Sequence, residues 1–185
     1  MDIRLMVQST PNPNALKFVL NIPVKTDGKV TYKRIEDCVH NPLAMKIFGL
    51  DHIEEVFFFD NYITVTQNGD ADWDVLEEQV KKTVLDNIQA HDPNFKTEEP
   101  KRALPATDNP EVARVEEILN QTIRPALQMD GGDIQIISLE NNILMVNYQG
   151  ACGSCPSSSM GTLKAIENIL RDQYNQDIVV EMAPY

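Results

Sequence analysis

The composition of the chain changes abruptly between residues 92 and 109, and this change most constrains what the chain can fold into. The segment carries three prolines and a run of charged residues without periodic apolar positions: Pro93, Glu98, Glu99, Pro100, Lys101, Arg102 and Pro105. Such a composition cannot bury enough apolar surface to fold and is typical of a linker. Each flank is long enough for one small domain. We therefore predict two domains, residues 1–96 and 109–185, joined by a linker at 97–108.

The charge of the chain excludes several classes of partner. The 185 residues carry a formal net charge of −12 and a pI near 4.6. Binding to nucleic acid or to an anionic membrane relies on clustered Lys and Arg, so we expect neither. No apolar run approaches the roughly 20 residues of a membrane span, and the first residues have no signal-peptide or transit-peptide pattern. Three cysteines, two of them in a CxxC, do not resemble a secreted disulfide framework. We expect a soluble cytoplasmic protein.

The sequence of the first half of the chain predicts several strands and two helices. Alternating or continuous apolar runs predict strands over 3–8, 15–20, 30–35, 53–59 and 62–67, with a loop at 26–29 and a two-residue hairpin at Asp60-Asn61. Asn41-Pro42 predicts a short helix that ends at Gly49. Asp72 is the expected N-cap of a longer helix whose apolar face carries five residues: Trp73, Leu76, Val80, Val84 and Ile88.

The second half predicts a helix, a hairpin, a CxxC loop, a helix and a strand. Asn109-Pro110 is a strong helix start, and Pro125 should kink or end that helix. A turn at 130–133 leads to a hairpin of strands 134–139 and 143–148, then to a helix over 160–174 and a strand over 178–182. The right-handed crossover preference favours parallel pairing of the last strand across the helix. The fold class is therefore two small two-layer domains, α+β or α/β.

The chemistry of the chain centres on Cys152 and Cys155. Two thiols at this spacing can bind one metal from a single turn, and a following helix N-terminus favours the thiolate form. An iron–sulfur cluster takes four thiolates, and so does an all-cysteine zinc site. A CxxC before a helix is also typical of thioredoxin-like dithiols. The spacing alone leaves the cluster, the dithiol and zinc about equally open.

The motifs around the cysteines resemble a known family. The segments Arg124-Pro125, Asp130-Gly131-Gly132-Asp133 and Gly150 to Ser158 resemble the NifU C-terminal domain of Nfu-type iron–sulfur scaffold proteins. The first half is similar to the Nfu N-terminal domain through the motif at 10–18, the run at 50–59, the strand at 63–66 and Asp72-Trp73.

The resemblance implies a scaffold or carrier rather than an enzyme. It would hold an iron–sulfur cluster, [4Fe-4S] by analogy with the family, between Cys152 and Cys155 of two subunits in a homodimer. It would receive the cluster from upstream assembly proteins and transfer it to apo iron–sulfur clients. The alternative hypotheses are a thioredoxin-like dithiol protein and a zinc-binding dimer.

For the other polar and aromatic residues we predict structural or surface roles. Cys38 is expected to be a small buried hydrophobe. His40, His52 and His91 are scattered and fit surface or packing positions better than metal ligation. The acidic pairs Glu54-Glu55 and Glu116-Glu117 are expected on solvated faces, Asp130 and Asp133 beside a turn, and Lys164 on a solvated helix. The aromatic residues of the first half are assigned to its core. The chain carries no Ser-His-Asp order, P-loop or dinucleotide fingerprint.

Overall fold

The computed structural model describes residues 2–96, 109–153 and 159–183 of the chain, with only the backbone described for Ser159 and Met160. The predicted linker at 97–108 and Cys155 lie outside the described residues. The chain divides into two compact units, Met1–Thr97 and Glu98–Tyr185.

The first unit is built on a five-stranded antiparallel sheet. Its strands are β1 (Leu5–Ser9), β2 (Ala15–Leu20), β3 (Lys25–Tyr32), β4 (Ile53–Asp60) and β5 (Tyr62–Gln67), in the order β1-β2-β5-β4-β3. The predicted hairpin at Asp60-Asn61 is confirmed, because Phe59 of β4 pairs with Tyr62 of β5. The strands β2 and β5 have the predicted bounds.

Two helices cover one face of this sheet, and both begin at the predicted caps. The Asn41 side chain accepts a hydrogen bond from Ala44 N ahead of α1 (Pro42–Phe48), and Asp72 accepts one from Asp74 N ahead of α2 (Trp73–Asn87). These caps satisfy backbone N–H groups that have no partner within the helix. The buried side of the sheet and the helices share one apolar core, whose members include Phe18, Leu20, Leu43, Ile47, Val56, Phe58, Ile63, Leu76, Val80 and Val84. The unit is therefore two-layered, as predicted.

The aromatic residues of this unit divide between the two faces of the sheet. Phe58 lies in the core that the sheet shares with the helices. Phe57 and Tyr62 are also buried but lie on the opposite face, where the Lys17 ammonium sits 4.2 Å from the centre of the Tyr62 ring. Strand alternation sends neighbouring side chains to opposite faces. The predicted burial is therefore confirmed for Phe57, Phe58 and Tyr62, on the two faces of the sheet, whereas Phe59 and Trp73 are only partly buried.

Two predicted boundaries in the first unit were wrong. The strand expected over 30–35 is the eight-residue β3, which starts at Lys25 and ends at Tyr32. Residues 26–28 bulge out of it, because Lys25 pairs with Asp60 and Lys29 with Phe59, and Gly28 has a φ of +68°. Ile35 instead begins a 3₁₀ turn that ends at Cys38.

The segment 92–96, which precedes the predicted linker, folds onto the first unit. Thr26 N donates to Pro93 O at 3.0 Å, and Lys25 Nζ donates to Phe95 O at 3.1 Å. The Phe95 ring packs edge-on against Phe58, at 6.1 Å between ring centres. One aromatic side chain and hydrogen bonds hold this segment on the first unit, although its composition is like that of the linker predicted to follow it.

The second unit has a three-stranded sheet and three helices in the described residues. They are α3 (Pro110–Thr122), α4 (Arg124–Met129), β6 (Gly132–Glu140), β7 (Ile143–Gly150), α5 (Ser159–Gln173) and β8 (Val179–Met182). The sheet order is β6-β7-β8, with β6 and β7 antiparallel and β7 and β8 parallel. The predicted parallel pairing of the last strand across the helix is confirmed.

The helices of the second unit pack on its sheet. Asn109 caps α3 through a hydrogen bond from Glu111 N, and the chain turns at Ile123 into the short helix α4, which has Pro125 in its first turn. The shared apolar core includes Val112, Val115, Leu119, Ile134, Leu144, Val146, Tyr148, Cys152, Ile166 and Leu170. Within the described ranges, no helix is long and apolar enough to span a membrane.

Candidate metal site

Cys152 lies two residues after the end of β7, in the turn that opens the loop between β7 and α5. Gly150, the last residue of β7, has a φ of +63°, a conformation that side-chain-bearing residues rarely adopt. The turn is fixed by two backbone hydrogen bonds, from Ala151 N to Gly131 O at 3.2 Å and from Gly153 N to Gly150 O at 2.9 Å. Cys152 is in no disulfide and has 7% of its surface exposed. The fold therefore holds the first cysteine of the motif at the margin of the core.

The two glycines of the Asp-Gly-Gly-Asp motif support Cys152 in different ways. Gly131 has a φ of +81° and supplies the turn that the sequence predicted. Gly132 is the first residue of β6 and pairs with Gly150 across the sheet. A Cβ atom on Gly132 would lie 2.6 Å from Cys152 Sγ and 2.6 Å from the backbone oxygen of Gln149. The second glycine thus makes room for the cysteine side chain, a role the sequence did not indicate.

A group of three charged residues, of which one is buried, lies beside this turn. Asp133 is 1% exposed, and its Oδ1 lies 3.7 Å from Arg124 Nε and accepts a hydrogen bond from Ile134 N at 2.6 Å. Arg124 also makes an ion pair with Glu116 of α3, at 2.6 Å between Nη2 and Oε2. These contacts connect α3, α4 and β6 on either side of the glycine turn.

Sequence reasoning missed this group of charges. Asp133 was expected beside a turn and Glu116 on a solvated face, but Asp133 is buried in β6 and Glu116 pairs with Arg124. One feature of the sequence could have indicated the pair, because Arg124 and Asp133 both belong to the motifs that carry the family resemblance. Their opposite charges predict a pair once the intervening helix and glycine turn bring them together.

Tyr148 lies in the core beside Cys152. It is the sixth residue of β7, pairs with Ile134 and is 2% exposed. Burial raises the pKa of the Tyr148 hydroxyl above its ordinary range, and negative charge on Cys152 raises it further, while Thr162 of α5 opposes the shift. The phenol therefore keeps its proton at neutral pH.

The second half of the motif is described only at its far end. Cys155 and the serines at 154 and 157–158 lie outside the described residues. The helix α5 begins at Ser159, four residues after Cys155. Lys164 on this helix is exposed and pairs with Glu167 at 3.3 Å, as expected of a solvated lysine. In the part of the chain that the structure describes, no three His, Cys, Asp or Glu side chains are grouped to hold a metal ion.

Cys38 and the histidines lie in the first unit, and all four occupy the surface or packing positions that were predicted for them. Cys38 is fully buried, its thiol donates to Ile35 O at 3.1 Å, and burial raises its pKa to about 11. His40 Nε2 lies 2.8 Å from the Tyr32 hydroxyl and His91 Nε2 lies 2.8 Å from Val24 O. His52 is exposed.

Glu55 was expected on a solvated face, and this prediction was wrong. Its side chain is buried, and its Oε2 lies 3.8 Å from Lys33 Nζ.

Comparison with known proteins relates both halves to the same family. Residues 5–91 match the family described as "Scaffold protein Nfu/NifU N terminal", and residues 115–181 match the family described as "NifU-like domain". The second match contains the glycine turn, Tyr148 and the CxxC motif.

Several curated relatives match along nearly the whole chain. The mitochondrial NifU-like protein 4 of Arabidopsis thaliana is 36% identical over 90% of this chain and 61% of its own length. The human mitochondrial NFU1 iron-sulfur cluster scaffold homolog is 34% identical over 90% of this chain and 66% of its length. A NifU-like protein of Schizosaccharomyces pombe is 30% identical over 92% of this chain and 68% of its length. The chain thus spans less than two thirds of the first two of these relatives.

A solved structure also resembles the chain. It is the solution structure of a NifU-like protein from Saccharomyces cerevisiae, with a TM-score of 0.46 and 19% identity over 52% of this chain and 87% of that one. The two family matches and the relatives at 30–36% identity establish the assignment. The chain belongs to the Nfu/NifU-like family of iron–sulfur cluster scaffold proteins.

Proposed function

We propose that this protein holds an iron–sulfur cluster between Cys152 and Cys155 of two subunits and transfers it to apo-proteins. The observation that carries the proposal is the support of Cys152, a thiol held at the margin of the core by the backbone of Gly131 and the missing side chain of Gly132. Membership of a scaffold family supports the cluster over the dithiol and zinc readings.

The number of thiolates supports a shared site. Common iron–sulfur clusters are bound by four cysteine thiolates, and the CxxC motif supplies two. The third cysteine, Cys38, lies in the other compact unit, is fully buried and has a pKa of about 11, so it is a poor thiolate donor. Two chains related by a two-fold axis would present the same motif to each other and complete the four ligands. Cluster loading and dimer formation would then be one event.

The cluster is the cargo of this protein, and we propose the [4Fe-4S] type. That type comes from the resemblance to Nfu proteins, because the CxxC spacing suits a [2Fe-2S] cluster equally well. A cluster that lies between two subunits can be released when the subunits separate. Such a site suits delivery to clients better than permanent electron transfer, and we propose no catalytic turnover.

The first unit is proposed to dock upstream assembly proteins and apo clients. It carries 10 basic and 15 acidic residues over 1–96, a net charge of −5. Complementary charge chiefly raises the association rate, and salt weakens this effect.

The cellular location is also a proposal. We place the protein in the cytoplasm, where thiols stay reduced, whereas the names of the Arabidopsis and human relatives place those proteins in mitochondria.

Anaerobic reconstitution of cysteine variants tests the proposed ligands. The full chain is loaded with iron and sulfide and compared with Cys152→Ala, Cys155→Ala and, as the matched control, Cys38→Ala. We expect the visible sulfide-to-iron charge-transfer band in the wild type and in Cys38→Ala, and its loss in both motif variants. Loss of the band in Cys38→Ala alone would overturn the assignment. A colourless wild type with a reversible intramolecular disulfide would favour the dithiol function, and one that binds zinc tightly would favour the zinc site.

A further inference from the structure

The hydroxyl of Tyr148 has no hydrogen-bond partner in the described part of the chain, although the residue is 98% buried. Leaving a buried hydroxyl without a partner costs free energy, and most buried hydroxyls in native proteins are paired. A phenylalanine would fill the same space without this cost. The position of this hydroxyl therefore needs an explanation beyond packing.

The surroundings of the ring point to the cysteine loop. Tyr148 lies two residues before Gly150, where β7 ends, and shares the apolar core with Cys152. Cys152 Sγ lies within 2.6 Å of where a Cβ atom of Gly132 would be, and the Gly132–Gly150 pair is two residues along the sheet from the Ile134–Tyr148 pair, so the cysteine sulfur and the Tyr148 ring lie on the same face. Thr162, in the first turn of α5, approaches the hydroxyl without meeting hydrogen-bond geometry. The phenol thus lies near the start of the loop, and its O–H group donates no hydrogen bond in the described part of the chain.

We propose that the Tyr148 hydroxyl donates a hydrogen bond to the sulfur of Cys152 when that sulfur is a metal-bound thiolate. The inference rests on the proposed function, and it makes Tyr148 a positioning residue for the cluster ligand. A phenol O–H is a good donor to a sulfur that carries negative charge, and hydrogen bonds to ligand sulfurs tune the stability of iron–sulfur sites. In the absence of a cluster the neutral thiol is a weak acceptor, which accounts for the unpaired hydroxyl.

Tyr148→Phe tests this bond because it removes one oxygen atom and keeps the ring. The matched control is Tyr174→Phe, which removes the same atom from a partly exposed tyrosine that packs against the same core. Three measurements are made on the full chain: the melting temperature without cluster, the rate of iron release to a chelator, and the Fe–S stretching frequencies by resonance Raman.

We expect Tyr148→Phe to leave the melting temperature of the cluster-free protein unchanged or raised. Iron release should become roughly tenfold faster, because the Cys152 side chain is no longer held in its ligating position and such supporting contacts commonly contribute tenfold or more to metal retention. A terminal Fe–S stretch should move to higher frequency, since a thiolate without the hydrogen bond donates more strongly to iron. Tyr174→Phe should match the wild type in all three.

An unchanged release rate or an unchanged Fe–S frequency in Tyr148→Phe would overturn the inference and leave Tyr148 as a packing residue. So would an equal effect of Tyr174→Phe. Failure of the wild type to take up any cluster would instead contradict the proposed function. The two failures are therefore distinguishable.

Discussion

Gly132 and Cys152 are in such close contact that no side chain fits between them. A Cβ atom at Gly132 would lie 2.6 Å from Cys152 Sγ and 3.0 Å from its Cβ. The backbone oxygen of Gln149 blocks the same space at 2.6 Å, so moving the cysteine side chain alone would not relieve the clash. The position of the first cysteine therefore depends on a glycine 20 residues earlier in the chain.

Gly132→Ala should displace Cys152 and weaken cluster retention. Overpacking a well-filled site costs about 1–3 kcal/mol, and here the backbone of β7 must shift as well. We expect a lower melting temperature and several-fold less cluster after reconstitution, measured as iron and sulfide per chain. The control is Gly161→Ala in α5, where a Cβ meets no atom within 4 Å and alanine is the better helix former. Wild-type cluster content in Gly132→Ala would contradict this role.

Arg124 should be required for the stability of the second unit. Arg124→Met leaves the buried Asp133 and the half-buried Glu116 without their cation, and removing one partner of a buried pair costs about 3–5 kcal/mol. Denaturant unfolding of the cluster-free chain measures this loss. The control is Lys164→Gln, which removes an exposed lysine from its pair with Glu167, with an expected cost below about 1 kcal/mol.

The double variant Arg124→Met, Asp133→Leu distinguishes the loss of the ion pair from the loss of packing contacts. Replacing both charges by apolar groups removes the buried carboxylate that has lost its cation and should recover part of the stability lost in Arg124→Met. Additive losses in the double variant would show that the two residues are not coupled.

The sequence predicted those features that depend on local residue chemistry. The caps Asn41, Asp72 and Asn109 and the hairpin between Phe59 and Tyr62 all follow from short-range rules, and all are confirmed. The parallel pairing of β7 with β8 followed from a general rule of chain topology.

The features that sequence could not predict depend on contacts between distant residues. The segment 92–96 is held by β3 through Lys25, and Asp133 is buried by Arg124 and the strands around it. The same limit applied to the site. The CxxC motif named Cys152, but nothing in the spacing indicated that Gly132 is the residue that makes room for it.

Cys38 should resist alkylation in the folded protein. Its pKa of about 11 exceeds that of an unfolded thiol, near 8.5–9, so little thiolate exists at pH 8, and the side chain is fully buried. In Cys152→Ser, Cys155→Ser, which leaves Cys38 as the one thiol, iodoacetamide labelling at pH 8 should be slow in buffer and rapid in denaturant.

The raised pKa of Cys38 also predicts a pH dependence of stability. A raised folded-state pKa stabilises the protein below the unfolded pKa, and this stabilisation is lost as the pH rises through about 11. Between pH 8 and pH 11, Cys38→Ala should therefore lose less stability than the wild type. Rapid labelling of the folded protein at pH 8, or equal pH profiles, would contradict the buried, neutral thiol.

The second unit should bind a cluster without the first. Among the residues that the structure describes, the apolar cores of the two units have no member in common, so a fragment of residues 109–185 is expected to fold and load a cluster. If the first unit docks clients, the fragment should transfer its cluster to the same apo-acceptor several-fold more slowly at low salt, with a smaller difference at high salt. Equal transfer rates would exclude the docking role.

Native mass spectrometry of the anaerobically reconstituted protein tests the shared cluster most directly. The chain has a mass of 20.9 kDa. The account predicts that cluster mass is found on a species of two chains, with one cluster per pair, and that Cys152→Ala and Cys155→Ala give only cluster-free chains. A complete cluster on a single chain, or a loaded dimer of either motif variant, would contradict it.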